Sequence, residues 1–135
     1  MTPTPPAAPA AAASDAALLD ARALDNLRRL DPGGRGQLLS RVLQTYQASM
    51  QRLLEQLEDA RCRSDPAAMR LAVHTLKSSS ASVGAADLSR WCADAEQALR
   101  DGRFADAEVP LLNLRSESTR VGRAVQRLLD ESNPG

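Results

Sequence analysis

"SDPAAMRLAVHTLKSSSASVGAADLSRWCADAEQALRDG", residues 64–102, decides the fold. Asp65 can cap the first free N–H groups of a helix, and Pro66 at the first helical position gives up a hydrogen bond that no helix could have made there. The spacing of Met69, Ala72, Leu76 and Val83 predicts a helix over about 66–83. Gly84 then suits a left-handed C-terminal cap. Leu88, Trp91, Cys92, Ala95 and Leu99 recur at three- and four-residue intervals, which predicts a second amphipathic helix closed by Asp101-Gly102. Two helices joined so tightly must run antiparallel.

The same pattern extends both ways. Upstream, Leu39, Val42, Leu43, Tyr46, Met50, Leu53, Leu57 and Ala60 form one face of a helix over about 37–61. Downstream, Leu111, Leu114, Ser118, Val121, Val125 and Leu128 form the inward row of a helix over about 107–131, with Pro110 expected in its first turn. A shorter helix over about 15–30 ends at "DPGG", residues 31–34. Residues 1–13 are nearly all Pro, Ala and Thr and cannot bury enough to offset the entropy of ordering, so they read as a tail or linker ahead of a domain spanning 14–132. The expected fold is all-α: an up-down antiparallel four-helix bundle with the short first helix laid across one end.

Composition agrees and narrows the function. The 135 residues suffice for one domain, and with 43% hydrophobic but only 2% aromatic residues, Leu, Ala and Val must fill the core. Seventeen basic residues balance seventeen acidic ones, so no overall field favours nucleic acid or an anionic membrane. Cys62 and Cys92 lack metal-ligand spacing, no apolar run reaches a membrane span, and the N-terminus lacks the features of a secretion signal. A cytoplasmic monomer is expected. No Gly-rich phosphate-binding loop of either common type is present, so no ATP site is expected.

The chain has one histidine, His74. At about 100° per residue, Ala72, Leu76, Val83 and Met69 lie opposite it, whereas Arg70, Ser78 and Ala81 lie within about 40° of it and Lys77 within about 60°. A lone histidine is ordinarily a surface or packing residue, and here the angle excludes packing. No acidic residue at i±3 or i±4 orients the ring, and Cys92 faces the core, so a hydrolytic triad does not fit. An exposed neutral imidazole is itself a covalent nucleophile. Cations at i−4 and i+3 disfavour the imidazolium and attract an incoming phosphoryl group, which points to a phosphohistidine site.

"HTLKSSSASVGA", residues 74–85, resembles the signature of histidine-containing phosphotransfer (HPt) domains, commonly HxLKGSSxxxGA, and residues 53–102 resemble the family from the end of its second helix through its fourth. About two thirds of the chain resembles the family well; the first and last helices match in length and placement only. The motif is specific in this helical setting and weak as His-x-x-Lys alone. The resemblance implies that His74 is a phosphoacceptor exchanging phosphoryl groups with the aspartate of response-regulator receiver domains. It implies that Lys77 assists at the phosphoryl oxygens and that Gly84 ends the helix. It further implies a sensor kinase as a second partner and no cofactor on this chain, the Mg²⁺ belonging to the receiver. Arg70, Ser78 and Ala81 are the expected docking surface. Ser78 departs from the family's usual glycine, which bears on partner choice.

Two other readings share these residues. A helical adaptor could bind a receiver or kinase through the same face without being phosphorylated, and the chain could be the C-terminal module of a hybrid kinase. Elsewhere the plain readings are preferred: Tyr46 and Trp91 as core, Ser79 and Ser80 turned inward and either bonded to the local backbone or closely packed, residues 115–120 as a solvated face, and both cysteines as inert small hydrophobes.

Overall fold

The computed structural model describes residues 19–30 and 37–132. Five helices follow in order: α1 (Ala21–Arg29), α2 (Gln37–Cys62), α3 (Pro66–Ser82), α4 (Ala86–Arg100) and α5 (Phe104–Ser132). The Pro/Ala segment, the "DPGG" stretch and the expected start of the first helix lie outside the described residues. Among the described residues every regular element is a helix.

Asp65 caps α3, its side chain accepting from the Ala68 N–H at 3.1 Å, with Pro66 as the first helical residue. Three residues separate each consecutive pair of long helices, and each connection turns on one residue with positive φ: Ser64 (52°), Gly84 (81°) and Gly102 (74°). The hydrogen bonding is the same in all three. The N–H after the turning residue reaches back five positions (Asp65 to Ala60 at 2.9 Å, Ala85 to Ser80 at 2.8 Å, Arg103 to Ala98 at 2.8 Å), and the turning residue's own N–H reaches back three. This Schellman arrangement satisfies carbonyls that a helix end would otherwise leave bare.

Such short connections make consecutive helices antiparallel neighbours, and α2–α3, α3–α4, α4–α5 and α5–α2 all pack together, closing the four-helix bundle. Leu43, Leu57, Val73, Leu76, Leu88, Cys92, Leu114, Val121 and Val125 are all nearly inaccessible to solvent at its centre. Polar ties link the helices as well: the buried Tyr46 and Ser80 hydroxyls hydrogen-bond at 2.9 Å between α2 and α3. Across the α2–α5 seam, Arg115 pairs with Glu58, and the Gln47 and Gln126 amides meet at 3.1 Å.

Helix α1 crosses one end. Its cap residue Asp20 donates its backbone N–H to the Gly84 carbonyl at 2.8 Å, and Leu19 and Leu24 face Ala124 and Leu128 near the end of α5.

The structure corrects several expectations. Helix α5 begins at Phe104, directly after the Gly102 turn, so Pro110 is inside the helix and not in its first turn. The inward row that suggested a start near 107 begins only at Leu111, well after the helix itself. The preceding turn is held by the Arg103 carbonyl, which accepts from Asp106 and Ala107. Glu117 is buried within the stretch expected to be solvated, because the inward stripe of α5 spans Leu114, Glu117, Ser118 and Val121. Cys62, the last residue of α2, is exposed, and so is Leu30, which follows α1. Trp91 packs on the core but is only partly buried.

Candidate functional site

The outward face of α3 places His74 as the angles require, its side chain 53% exposed. Arg70, Ser78 and Ala81 are exposed along the same face. Arg70 makes no ion pair or hydrogen bond among the described residues. Leu71, one turn before His74 and 68% exposed, adds an apolar group beside the ring. Gly84 takes the left-handed conformation expected of it.

The cations are arranged differently from the expectation. Glu96, on α4 and almost fully buried, reaches under α3 and collects three donors. His74 Nδ1 lies 2.8 Å from its Oε2, Lys77 Nζ donates to Oε1 at 2.6 Å, and Arg100 Nη2 donates to Oε2 at 3.1 Å. Lys77 is therefore not a free cation beside the ring. It lies against the carboxylate on which the ring also rests, and its backbone carbonyl accepts from the Ser89 hydroxyl at 3.1 Å, tightening the α3–α4 contact. The expectation that no acid orients His74 holds only along its own helix.

Burial alone would push the Glu96 carboxyl up, but hydrogen bonds from Lys77 and His74 and their charges outweigh it and hold the group below the usual carboxylate range. It is thus an anion at neutral pH and can only accept. Nδ1 must carry the proton of a neutral ring, and Nε2 bears the lone pair. One turn away, burial pushes the Cys92 thiol up to about 12, with the Glu96 charge adding to the effect, so this cysteine supplies no thiolate. Among the described residues no group of three or more His, Cys, Asp or Glu side chains is placed to hold a metal ion, and no helix is long and apolar enough to cross a membrane.

Sequence reasoning missed Glu96, Arg100 and Leu71. A signal for Glu96 was present: it stands four residues after Cys92 and one after Ala95, an acid on an inward, otherwise apolar stripe. Such an acid needs a buried partner, and α3, one of the two helices packed against α4, carries Arg70 and Lys77.

The family model for the Hpt domain matches residues 41–131, and the chain belongs to that family. Hpt domains are phosphotransfer modules of phosphorelays that work with receiver domains and histidine kinases and have no ATP site of their own. The bundle is similar to the crystal structure of histidine-containing phosphotransfer protein B (HptB) from Pseudomonas aeruginosa PAO1. The match has a TM-score of 0.76 and covers 84% of this chain and 96% of that one at 23% identity, which is a likeness of fold. No curated protein matches the chain.

Proposed function

We propose that the chain relays phosphoryl groups between His74 Nε2 and the aspartate of response-regulator receiver domains. One observation carries this reading: the exposed ring rests through Nδ1 on a buried anion, which leaves the nucleophilic nitrogen facing outward. The Nε2 lone pair attacks phosphorus, the bond from phosphorus to the aspartyl oxygen breaks, and its electron pair stays on the receiver carboxylate. The ring gains positive charge that Glu96 stabilises. Transfer onward is the reverse, to a different aspartate. Lys77, already at the carboxylate, turns one ammonium hydrogen to the phosphoryl oxygens as negative charge spreads over them.

Arg70, Ser78 and Ala81 form the docking face, with Leu71 as its apolar element. Small groups beside the ring let a receiver bring phosphorus to within about 3 to 3.5 Å of Nε2. Gly84 keeps the end of α3 in place, and the domain comprises residues 14–132 preceded by the Pro/Ala segment 1–13. On this reading the chain is a cytoplasmic, monomeric intermediate that hydrolyses nothing and takes its phosphoryl group from a receiver, whether it acts alone or as a module of a hybrid kinase. The Mg²⁺ of the reaction belongs to the receiver.

Incubation with a phosphorylated receiver tests the reading. The wild-type chain should gain an acid-labile, alkali-stable label, and His74→Gln should gain none while keeping its helicity. Label persisting on His74→Gln overturns the assignment, and a chain that binds the receiver without being labelled is the adaptor instead.

A further inference from the structure

We propose that Arg70 and Ser78, one turn before and one turn after His74 on α3, select the receiver domains that the chain serves: the partner that fits presents a carboxylate to Arg70 and a hydrogen-bond acceptor to Ser78. The inference rests on the phosphotransfer reading and concerns which receivers take part in it.

The polar groups around His74 divide into those already bound within the bundle and those left over. Of the cations, Lys77 Nζ and Arg100 Nη2 are held by Glu96, at 2.6 and 3.1 Å. Arg70, exposed on the same face as the ring, makes no ion pair or hydrogen bond among the described residues. The hydroxyls of α3 divide in the same way. Thr75 Oγ1 donates to the Leu71 carbonyl at 3.1 Å, Ser79 Oγ to the Leu76 carbonyl at 3.2 Å and Ser82 Oγ to the Ser78 carbonyl at 3.1 Å. Ser80 Oγ and the Tyr46 hydroxyl lie 2.9 Å apart. The exposed Ser78 hydroxyl is the one on α3 without such a bond among the described residues.

Arg70 and Ser78 lie within about 40° of His74 around the helix, and the eight residues between them set their Cα atoms about 12 Å apart along it, with the ring midway. A receiver close enough to exchange a phosphoryl group with His74 covers both and strips their water. A guanidinium left unpaired under that cover costs more than a made hydrogen bond contributes, so a receiver that offers Arg70 an apolar or basic group is turned away. A carboxylate matches the planar guanidinium with two parallel bonds. The Ser78 hydroxyl donates to a carbonyl or amide oxygen. Leu71, 68% exposed, makes apolar contact that many surfaces can satisfy, so it adds affinity without choosing between partners. The choice lies with the two polar groups that the fold leaves without partners of their own.

The test measures transfer from the phosphorylated chain to a panel of purified receiver domains, with kcat and KM for the receiver served best. Arg70→Ala should raise KM for that receiver by about tenfold, as loss of a charge-assisted hydrogen bond does. It should also speed transfer to the receivers served worst, so that the panel narrows from both ends. Ser78→Ala keeps the bulk and removes the hydroxyl, and should raise KM by about threefold, the loss of one neutral hydrogen bond. Arg70→Glu should lose transfer to the best receiver and regain it when one exposed acid of that receiver is replaced by Arg. An unchanged KM in either alanine variant overturns the proposal, and so does slowing of every receiver by the same factor. Failure of every exposed-acid replacement to rescue Arg70→Glu overturns it too. If no receiver exchanges label with the wild-type chain, the phosphotransfer reading itself fails, whereas transfer with an unaltered ranking of receivers sinks this inference alone.

Discussion

At the scale of single residues, the site is governed by a carboxylate that the chain hides. Lys77, about 60° from His74 around α3, is one of three donors to Glu96, with its side chain 31% exposed. Lys77→Ala should therefore slow transfer by about tenfold or more, as loss of one electrostatic donor does. It should also lower stability by about 1 kcal/mol, because a buried acceptor loses a partner while keeping two others. Rates from quenched transfer assays and midpoints from urea titration separate the two effects. Ser78 is exposed one turn from His74, so Ser78→Leu should fold normally and still take phosphate from a small-molecule donor. Transfer with receivers should fall, because bulk beside the ring keeps phosphorus out of reach.

Two buried acids pull stability in opposite directions with pH. The folded Glu96 carboxyl is held below its ordinary range, so its contribution is present above about pH 4.3 and is lost as pH falls through the folded value. Glu117 is raised, chiefly by burial, with Arg120 partly offsetting the shift. Its contribution is full below about pH 4.3 and is lost as pH rises through the folded value, leaving a net cost at neutrality. Glu117→Gln should thus raise the melting temperature at pH 7, and the gain should vanish in acid, where both side chains are neutral.

At the scale of elements, three turns of identical hydrogen bonding invite three different substitutions. An added Cβ at Gly102 meets nothing within 4 Å, so Gly102→Ala should cost about 1 kcal/mol, the strain of the left-handed backbone alone. At Gly84 the same atom would lie 2.7 Å from the Asp20 backbone nitrogen, which is fixed by its bond to the Gly84 carbonyl. Gly84→Ala should cost about 3 kcal/mol and loosen α1. Ser64 already bears the strain, so Ser64→Gly should gain about 0.5 kcal/mol. Denaturant titration of the three variants ranks them.

These turns also mark what the sequence made legible. Gly84 and Gly102 announced their helix ends because glycine is the residue that φ > 0 prefers, while Ser64 gave no such sign. The start of α5 was misjudged because Pro110 resembles a first-turn residue and the apolar row begins late. His74 was found from periodicity within one helix. Its pairing with Glu96 depends on the register between α3 and α4, which spacing along the chain does not encode.

At the scale of the molecule, three of the four contacts among the long helices join consecutive elements, and the α2–α5 seam joins the two that lie farthest apart in sequence. Contacts of short sequence separation form quickly, so refolding followed by the fluorescence of the single Trp91 should be complete within milliseconds. The Arg115–Glu58 pair bridges that seam, 57 residues apart in sequence. A tie formed only after the local hairpins are in place is absent from the barrier to folding. Arg115→Ala should therefore leave the refolding limb of the chevron unmoved and place its whole effect on the unfolding limb. The residence time of the native bundle is then set along one edge, on the far side of α2 from His74.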